Sequence, residues 1–178
     1  IQYQPNVFAQ SLKKQKSLTI KVLIPNKEED GYWKTAHDGV LKAIEDFEHF
    51  GIYVDVVSFN SKDVNDFTRK ANGILESLPN GLLVTPIFLQ ESLTILKAFE
   101  GTGIPYMTFN THIRELHPSC VIGQNLQQSG RLAANLIDQC RKDITNLLIL
   151  HLDENPQNAP HMKEKEKGFR AYFEETDP

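Results

Sequence analysis

Short apolar runs that alternate with amphipathic stretches constrain this chain more than any other feature. Leu18–Ile24 reads as a buried strand stopped by Pro25. Ala36, Val40, Ala43, Ile44 and Phe47 then recur at helical spacing, and Gly51 ends the pattern. Ile52–Val57 is the next strand. Asp63 is placed to cap a helix whose stripe is Val64, Phe67, Ala71, Ile74, Leu75 and Leu78, and the turn Pro79-Asn80-Gly81 closes it. The rhythm repeats through a strand at Leu82–Thr85, a helix over Ser92–Glu100, and strands at Tyr106–Phe109 and Cys120–Ile122. A helical face of Leu132, Ala133, Leu136, Ile137 and Cys140 follows, then a strand at Asn146–Leu150 and a helix over Lys163–Phe173.

Strands that are apolar at nearly every position must be covered on both faces. The expected fold is therefore α/β: a Rossmann-like parallel sheet with helices on both sides. Ligands of such sheets sit beyond the carboxyl ends of the strands. That rule points to the loops that start at Pro25, Ser58, Pro86, Asn110 and Gly123.

Two segments stand apart. Residues 1–17 are polar and lysine-bearing, and residues 145–178 begin a new strand–helix unit that cannot bury both of its own faces. The expected division is an arm at 1–17, a subdomain at 18–144 and the start of a second subdomain at 145–178, with the chain stopping inside it. Hydrophobic content of 40% and charged content of 24% are ordinary globular values, and the net charge of −4 argues against a surface that binds nucleic acid throughout. Cys120 and Cys140 are too few for a disulfide framework and are expected as reduced, partly buried thiols. No run approaches the roughly 18 apolar residues of a membrane span, and no signal-peptide pattern opens the chain. A cytoplasmic protein without a membrane partner is the default expectation.

No catalytic motif stands out: there is no phosphate loop, no G-x-S-x-G and no H-E-x-x-H. His112 and His117 flank Glu115 at a spacing that matches no standard metal site, so no metal or cofactor is expected. Glu28-Glu29-Asp30 is an acidic cluster that either hydrogen-bonds polyol hydroxyls or is simply solvated. Gly31-Tyr32-Trp33 holds the single tryptophan at the mouth of the first strand–helix loop. Its aromatic faces suit the C–H face of a sugar, or else they pack the helix onto the sheet. Thr85-Pro86, Asn110-Thr111 and Gln124-Asn125 add neutral hydrogen-bonding groups at the strand ends, or serve as caps and turns. Neutral amides and hydroxyls suit a binding cleft better than acid–base chemistry.

Tyr3-Gln4-Pro5-Asn6-Val7-Phe8-Ala9-Gln10-Ser11-Leu12 is the most specific stretch. It resembles the hinge of the lactose-repressor (LacI) family, Tyr-x-Pro-Asn-x-x-Ala-x-x-Leu. The resemblance implies a hinge helix that contacts operator DNA through Asn6, Ala9, Leu12 and Lys13, with Leu12 as a minor-groove wedge and the lysines Lys13 and Lys14 near phosphates. It also implies a helix-turn-helix headpiece before residue 1. The remainder resembles type I periplasmic binding proteins. Asp30-Gly31-Tyr32-Trp33 stands at that family's Asn-Pro-Phe-Phe, Gly103-Ile104-Pro105 at its Gly-Ile-Pro, and Asn110-Thr111 at its Asp-Arg. Gln124-Asn125 with Ser129–Ala133 matches the following loop and helix. Lys163–Phe169 matches Arg-Glu-Arg-x-x-Gly-Phe, with Lys165 in place of an arginine.

The resemblance therefore implies the ligand-sensing domain of a dimeric, non-enzymatic transcription regulator, with Asp30, Tyr32, Trp33, Thr85, Asn110, Thr111, Gln124, Asn125 and Lys165 around a carbohydrate effector. The alternative is an exported sugar-binding protein or the extracellular sensor of a kinase. For the dimer, His37, Leu41, Tyr53 and Phe50 are expected on the outward side of the first helix and the neighbouring strand.

Overall fold

The computed structural model describes residues 17–140, 146–150 and 160–176. The hinge positions Asn6, Ala9, Leu12 and Lys13 lie outside them. Two compact units are present, Ile1–Val121 and Ile122–Pro178.

In the first unit, β1 (Leu18–Pro25), β2 (Ile52–Phe59), β3 (Gly81–Val84) and β4 (Tyr106–Phe109) alternate with α1 (Lys34–Phe47), α2 (Val64–Ser77) and α3 (Leu89–Thr102). With β5 (Cys120–Ile122) they form a five-stranded parallel sheet in the order 2-1-3-4-5. The register runs Leu18 to Ile52, Ile20 to Gly81 and Leu82 to Tyr106. The expected α/β architecture is the observed one.

Alternation along β1 explains why the sheet needs two covers, because successive side chains of a strand point to opposite faces. Leu23 joins Phe59, Phe67, Phe88, Leu96 and Phe99 beneath α2 and α3. Its neighbours Val22 and Ile24 join Trp33, Ala36 and Val40 on the other face, under α1. Three phenylalanine rings centre the larger core, with Phe59–Phe67 at 5.0 Å and Phe67–Phe88 at 5.4 Å between centroids. The turn before β3 is pinned by Asn80. Its backbone N–H donates to Thr19 O and its Oδ1 accepts from Thr19 N, both at 2.8 Å.

Several expectations are corrected here. His37 is buried rather than outward, and its Nε2 donates to Pro25 O at 2.8 Å. A ring that can satisfy a strand-end carbonyl gains a partner inside that it would lack outside. Phe47 is 42% exposed although it falls on the apolar stripe, because α1 ends there and passes into a short 3-10 turn at Glu48–Phe50. Both cysteines are free and exposed. Asn146–Leu150 carries no strand, and Leu147, Leu148 and Leu150 are exposed. A strand exists only where a neighbour completes its ladder, and the described residues offer it none. No helix among the described residues is long and apolar enough to cross a membrane.

The second unit is built on α4 (Leu126–Cys140) and α5 (Pro160–Thr176). The sequence reading places the division after residue 144. The compact units part between Val121 and Ile122, and within the second unit α4 packs on α5 across two glycines. A Cβ on Gly130 would lie 1.9 Å from Lys165 O, and one on Gly168 would lie 2.0 Å from Gln127 O. Polar bridges flank this close approach. Gln127 donates to Glu164 at 2.6 Å, Asn135 donates to the Tyr172 hydroxyl at 2.9 Å, and that hydroxyl donates to Asp138 at 3.0 Å.

These contacts generate a paired prediction. Alanine gains about 1 kcal/mol of helix propensity over glycine, but a clash with backbone forces the helices apart at a cost of ~1–3 kcal/mol or more. Gly130→Ala is therefore expected to lower the denaturation midpoint of the second unit. Gly39→Ala on α1, where an added Cβ meets nothing within 4 Å, is expected to raise stability slightly. Urea melts of both variants check this, and a Gly130→Ala protein as stable as the parent contradicts the crossing.

Candidate ligand site

Parallel strands send all their carboxyl ends to one edge, and the sequence-predicted residues of the first unit gather there. The loop after β1 ends in Asp30, whose extended backbone and carboxylate cap the single 3-10 turn Gly31–Trp33. Oδ1 accepts from Tyr32 N at 2.9 Å. A three-residue turn sends consecutive side chains to different sides. Trp33 turns inward, is 5% exposed, and packs with Val22 and Ile24. Tyr32 turns outward and is 61% exposed. The Tyr32 and Trp33 rings meet edge-on at 5.0 Å and 89°, and Trp33 meets Phe109 of β4 at 6.4 Å. Trp33 is packed into the core, and Tyr32 is the exposed ring of the pair.

The exit of β4 carries the second half of the site. Asn110 has φ +67°, the left-handed region, and Thr111 N donates to Phe109 O at 2.8 Å. Asn110 is thus the central residue of a γ-turn, a strained conformation for any residue but glycine. Its Oδ1 accepts from the Tyr32 hydroxyl at 2.8 Å. This bond links the exits of β1 and β4, which are separated in the sheet by β3.

Thr85 at the β3 exit is 1% exposed and its backbone N–H donates to Leu23 O at 2.9 Å, while Thr111 is 4% exposed. Both threonines lie behind the surface rather than on it. The open part of the edge is Asp30, Tyr32 and the half-buried Asn110.

The exit of β2 is locked by Asp66, which accepts from Asn60 N at 2.9 Å and from Lys70 Nζ at 2.7 Å. The loop after β4 is tied down by Glu100. Its Oε1 accepts from His117 N and from the Tyr106 hydroxyl, each at 2.7 Å. The His117 amide, and then the Tyr106 hydroxyl, hold the Glu100 carboxyl below the usual range. Burial, and then that same carboxylate, push the Tyr106 hydroxyl well above its ordinary value. No group of three His, Cys, Asp or Glu side chains among the described residues is placed to hold a metal ion.

The other three predicted residues belong to the second unit. Gln124 and Asn125 are exposed, and Asn125 Oδ1 accepts from Gln128 N at 3.0 Å as a cap of α4. Lys165 is half-buried on α5, where its carbonyl faces Gly130. The feature that sequence reasoning missed is the pairing of Tyr32 with Asn110. No periodic pattern could have shown it, since the two exits meet only through the strand order.

Residues 20–178 match a family described as periplasmic binding protein domain. None of the curated proteins matches significantly. Among solved structures, a Bacteroides fragilis protein assigned as a LacI transcriptional regulator is 26% identical, with TM-score 0.79, covering 92% of this chain and 57% of that one. A glucose-galactose binding protein from Geobacillus stearothermophilus is 17% identical, with TM-score 0.75 and coverages of 89% and 55%. The fructose binding periplasmic domain of a hybrid two component system is 16% identical, with TM-score 0.71 and coverages of 90% and 51%. The chain thus spans a little over half the length of the structures it matches.

The opposite orientations of Tyr32 and Trp33 give a testable contrast. Trp33→Ala is expected to cost ~3–5 kcal/mol of stability, the usual range for emptying a buried large aromatic site. Tyr32→Ala is expected to cost about 1 kcal/mol, the scale of one hydrogen bond. Equal losses in denaturant melts would contradict the assignment.

Proposed function

The chain belongs to the periplasmic binding protein domain family, and from that premise we propose that it is the ligand-sensing part of a LacI-type transcription regulator that responds to a sugar or sugar derivative. The observation that carries this reading is the order Tyr3-Gln4-Pro5-Asn6 to Leu12 directly ahead of β1. A hinge in that place serves a DNA-binding regulator. The likeness to the Bacteroides fragilis protein supports it. The sugar is proposed from what the other neighbours are said to bind, glucose-galactose and fructose. The neutral groups at the sheet edge suit such a ligand, since Asn110 and Tyr32 bond hydroxyl oxygens without an ionic partner.

In this reading the protein is cytoplasmic, is not an enzyme, and acts as a homodimer on operator DNA. Asn6, Ala9, Leu12 and Lys13 meet the DNA beside a helix-turn-helix headpiece. Sugar binding shifts a two-state equilibrium that sets hinge pairing, and so operator affinity. Leu41 at 48% exposure, with exposed Phe47, Phe50 and Tyr53, gives α1 and the edge strand β2 an apolar outer surface that supports the dimer. The second reading, an exported sugar-binding protein or a kinase sensor, is favoured by the likeness to the glucose-galactose binding protein and to the fructose binding periplasmic domain but has no use for the hinge motif.

The test uses the intact protein and DNA from its own promoter, with D-glucose, D-galactose, D-fructose and D-allose in turn. One sugar is expected to move operator affinity by about 5- to 150-fold. Leu12→Ala is expected to weaken operator binding and leave sugar affinity unchanged. Sedimentation is expected to show a dimer that Leu41→Glu splits. Sugar binding by a protein with no affinity for its promoter would overturn the regulator reading in favour of the second.

A further inference from the structure

The contact between Tyr32 and Asn110 joins the exits of β1 and β4 across the candidate site, and it admits two opposite roles. Either the Tyr32 hydroxyl stands where a ligand hydroxyl would bind and must be displaced, or it holds Asn110 ready. We propose that Tyr32 is a positioning residue. Its hydroxyl bond to Asn110 Oδ1 fixes the strained turn at the end of β4 and aims the Asn110 amide N–H groups at an acceptor oxygen of an uncharged sugar. This proposal rests on the sugar-sensing reading given above.

Two observations favour positioning over displacement. The first is the set of contacts that hold Tyr32. Its backbone N–H is held by Asp30 at 2.9 Å, and its ring lies edge-on against Trp33 at 5.0 Å. Trp33 is itself part of the core between the sheet and α1. The hydroxyl is therefore delivered from a residue held both at its backbone and at its ring. The second is the state of Asn110. A left-handed γ-turn at a non-glycine residue persists only where the surroundings over-determine it. The restraints present are the Thr111 N–H bond to Phe109 O and the Tyr32 hydroxyl bond, both 2.8 Å. Removing the second leaves the turn to the first alone.

The chemistry of the amide follows from its occupancy. A carboxamide has two acceptor sites on Oδ1 and two donors on Nδ2. Tyr32 takes one acceptor site, so what remains is weighted toward donation. An aspartate in this place would present acceptors only and would select donating hydroxyls. Asn110 held by Tyr32 selects an oxygen that accepts, such as a ring oxygen.

The experiment compares the intact protein with its Tyr32→Phe variant, which keeps the ring and deletes the hydroxyl. Without any sugar, hydrogen exchange of the Thr111 amide is expected to speed up about five- to tenfold, the scale of one neutral hydrogen bond. In an Asn110→Gly background, where positive φ carries no strain, Tyr32→Phe is expected to change that exchange rate little. With D-glucose, D-galactose, D-fructose and D-allose as probes, isothermal titration calorimetry follows binding. The sugar that binds is expected to bind about five- to tenfold more weakly to Tyr32→Phe. Unchanged Thr111 exchange overturns the latch, whatever the sugars do. Tighter sugar binding by Tyr32→Phe overturns positioning and makes Tyr32 a competitor. If the parent protein binds none of the four sugars, that failure falls on the sugar reading, and Thr111 exchange still decides the latch.

Discussion

Everything in the first unit depends on burying a parallel sheet on both faces. Leu23 goes to one side and Val22 and Ile24 to the other, so neither face of β1 can be left to water. Covering both faces forces helices between successive strands, and parallel strands joined in this way deliver all their exits to one edge. The candidate site exists because of that constraint. Asp30, Tyr32 and Asn110 come together from the exits of β1 and β4 without being close in sequence.

The edge is also stiffened where the chain leaves the sheet. Pro25 O is satisfied by buried His37 and Asn60 N by Asp66. Each partner is a side chain from an adjoining helix, so these two exits are tied to α1 and α2. Rigid exits favour recognition by a preorganised surface, since less ordering is lost when a ligand arrives. Asn110 is the exception in conformation but not in restraint. It is strained, and it is held by Tyr32.

Much of this fold is legible in the sequence, for a physical reason. The pleat and the helix impose periods of 2.0 and 3.6 residues, and the runs at Leu18–Ile24 and the stripe of Phe67, Ala71 and Ile74 carry those periods openly. What periodicity does not encode is partnership. Asn146–Leu150 has strand-like composition but no ladder neighbour among the described residues. His37 is polar in type and falls beside Val40 and Ile44, and it is buried where it meets the Pro25 carbonyl. The division of roles between Tyr32 and Trp33 turns on the one-residue offset between them on a short 3-10 turn. Gly130 and Gly168 meet across two helices, and a single sequence does not reveal which glycines are close to foreign backbone.

The central claim is that the strand-exit edge of the first unit receives the ligand. The most direct measurement is a crystal structure of the intact protein grown with the sugar that moves its operator affinity. Sugar density is expected against the ring of Tyr32, with an oxygen within hydrogen-bond reach of Asn110 Nδ2. Sugar bound on another surface, with this edge empty, would contradict it.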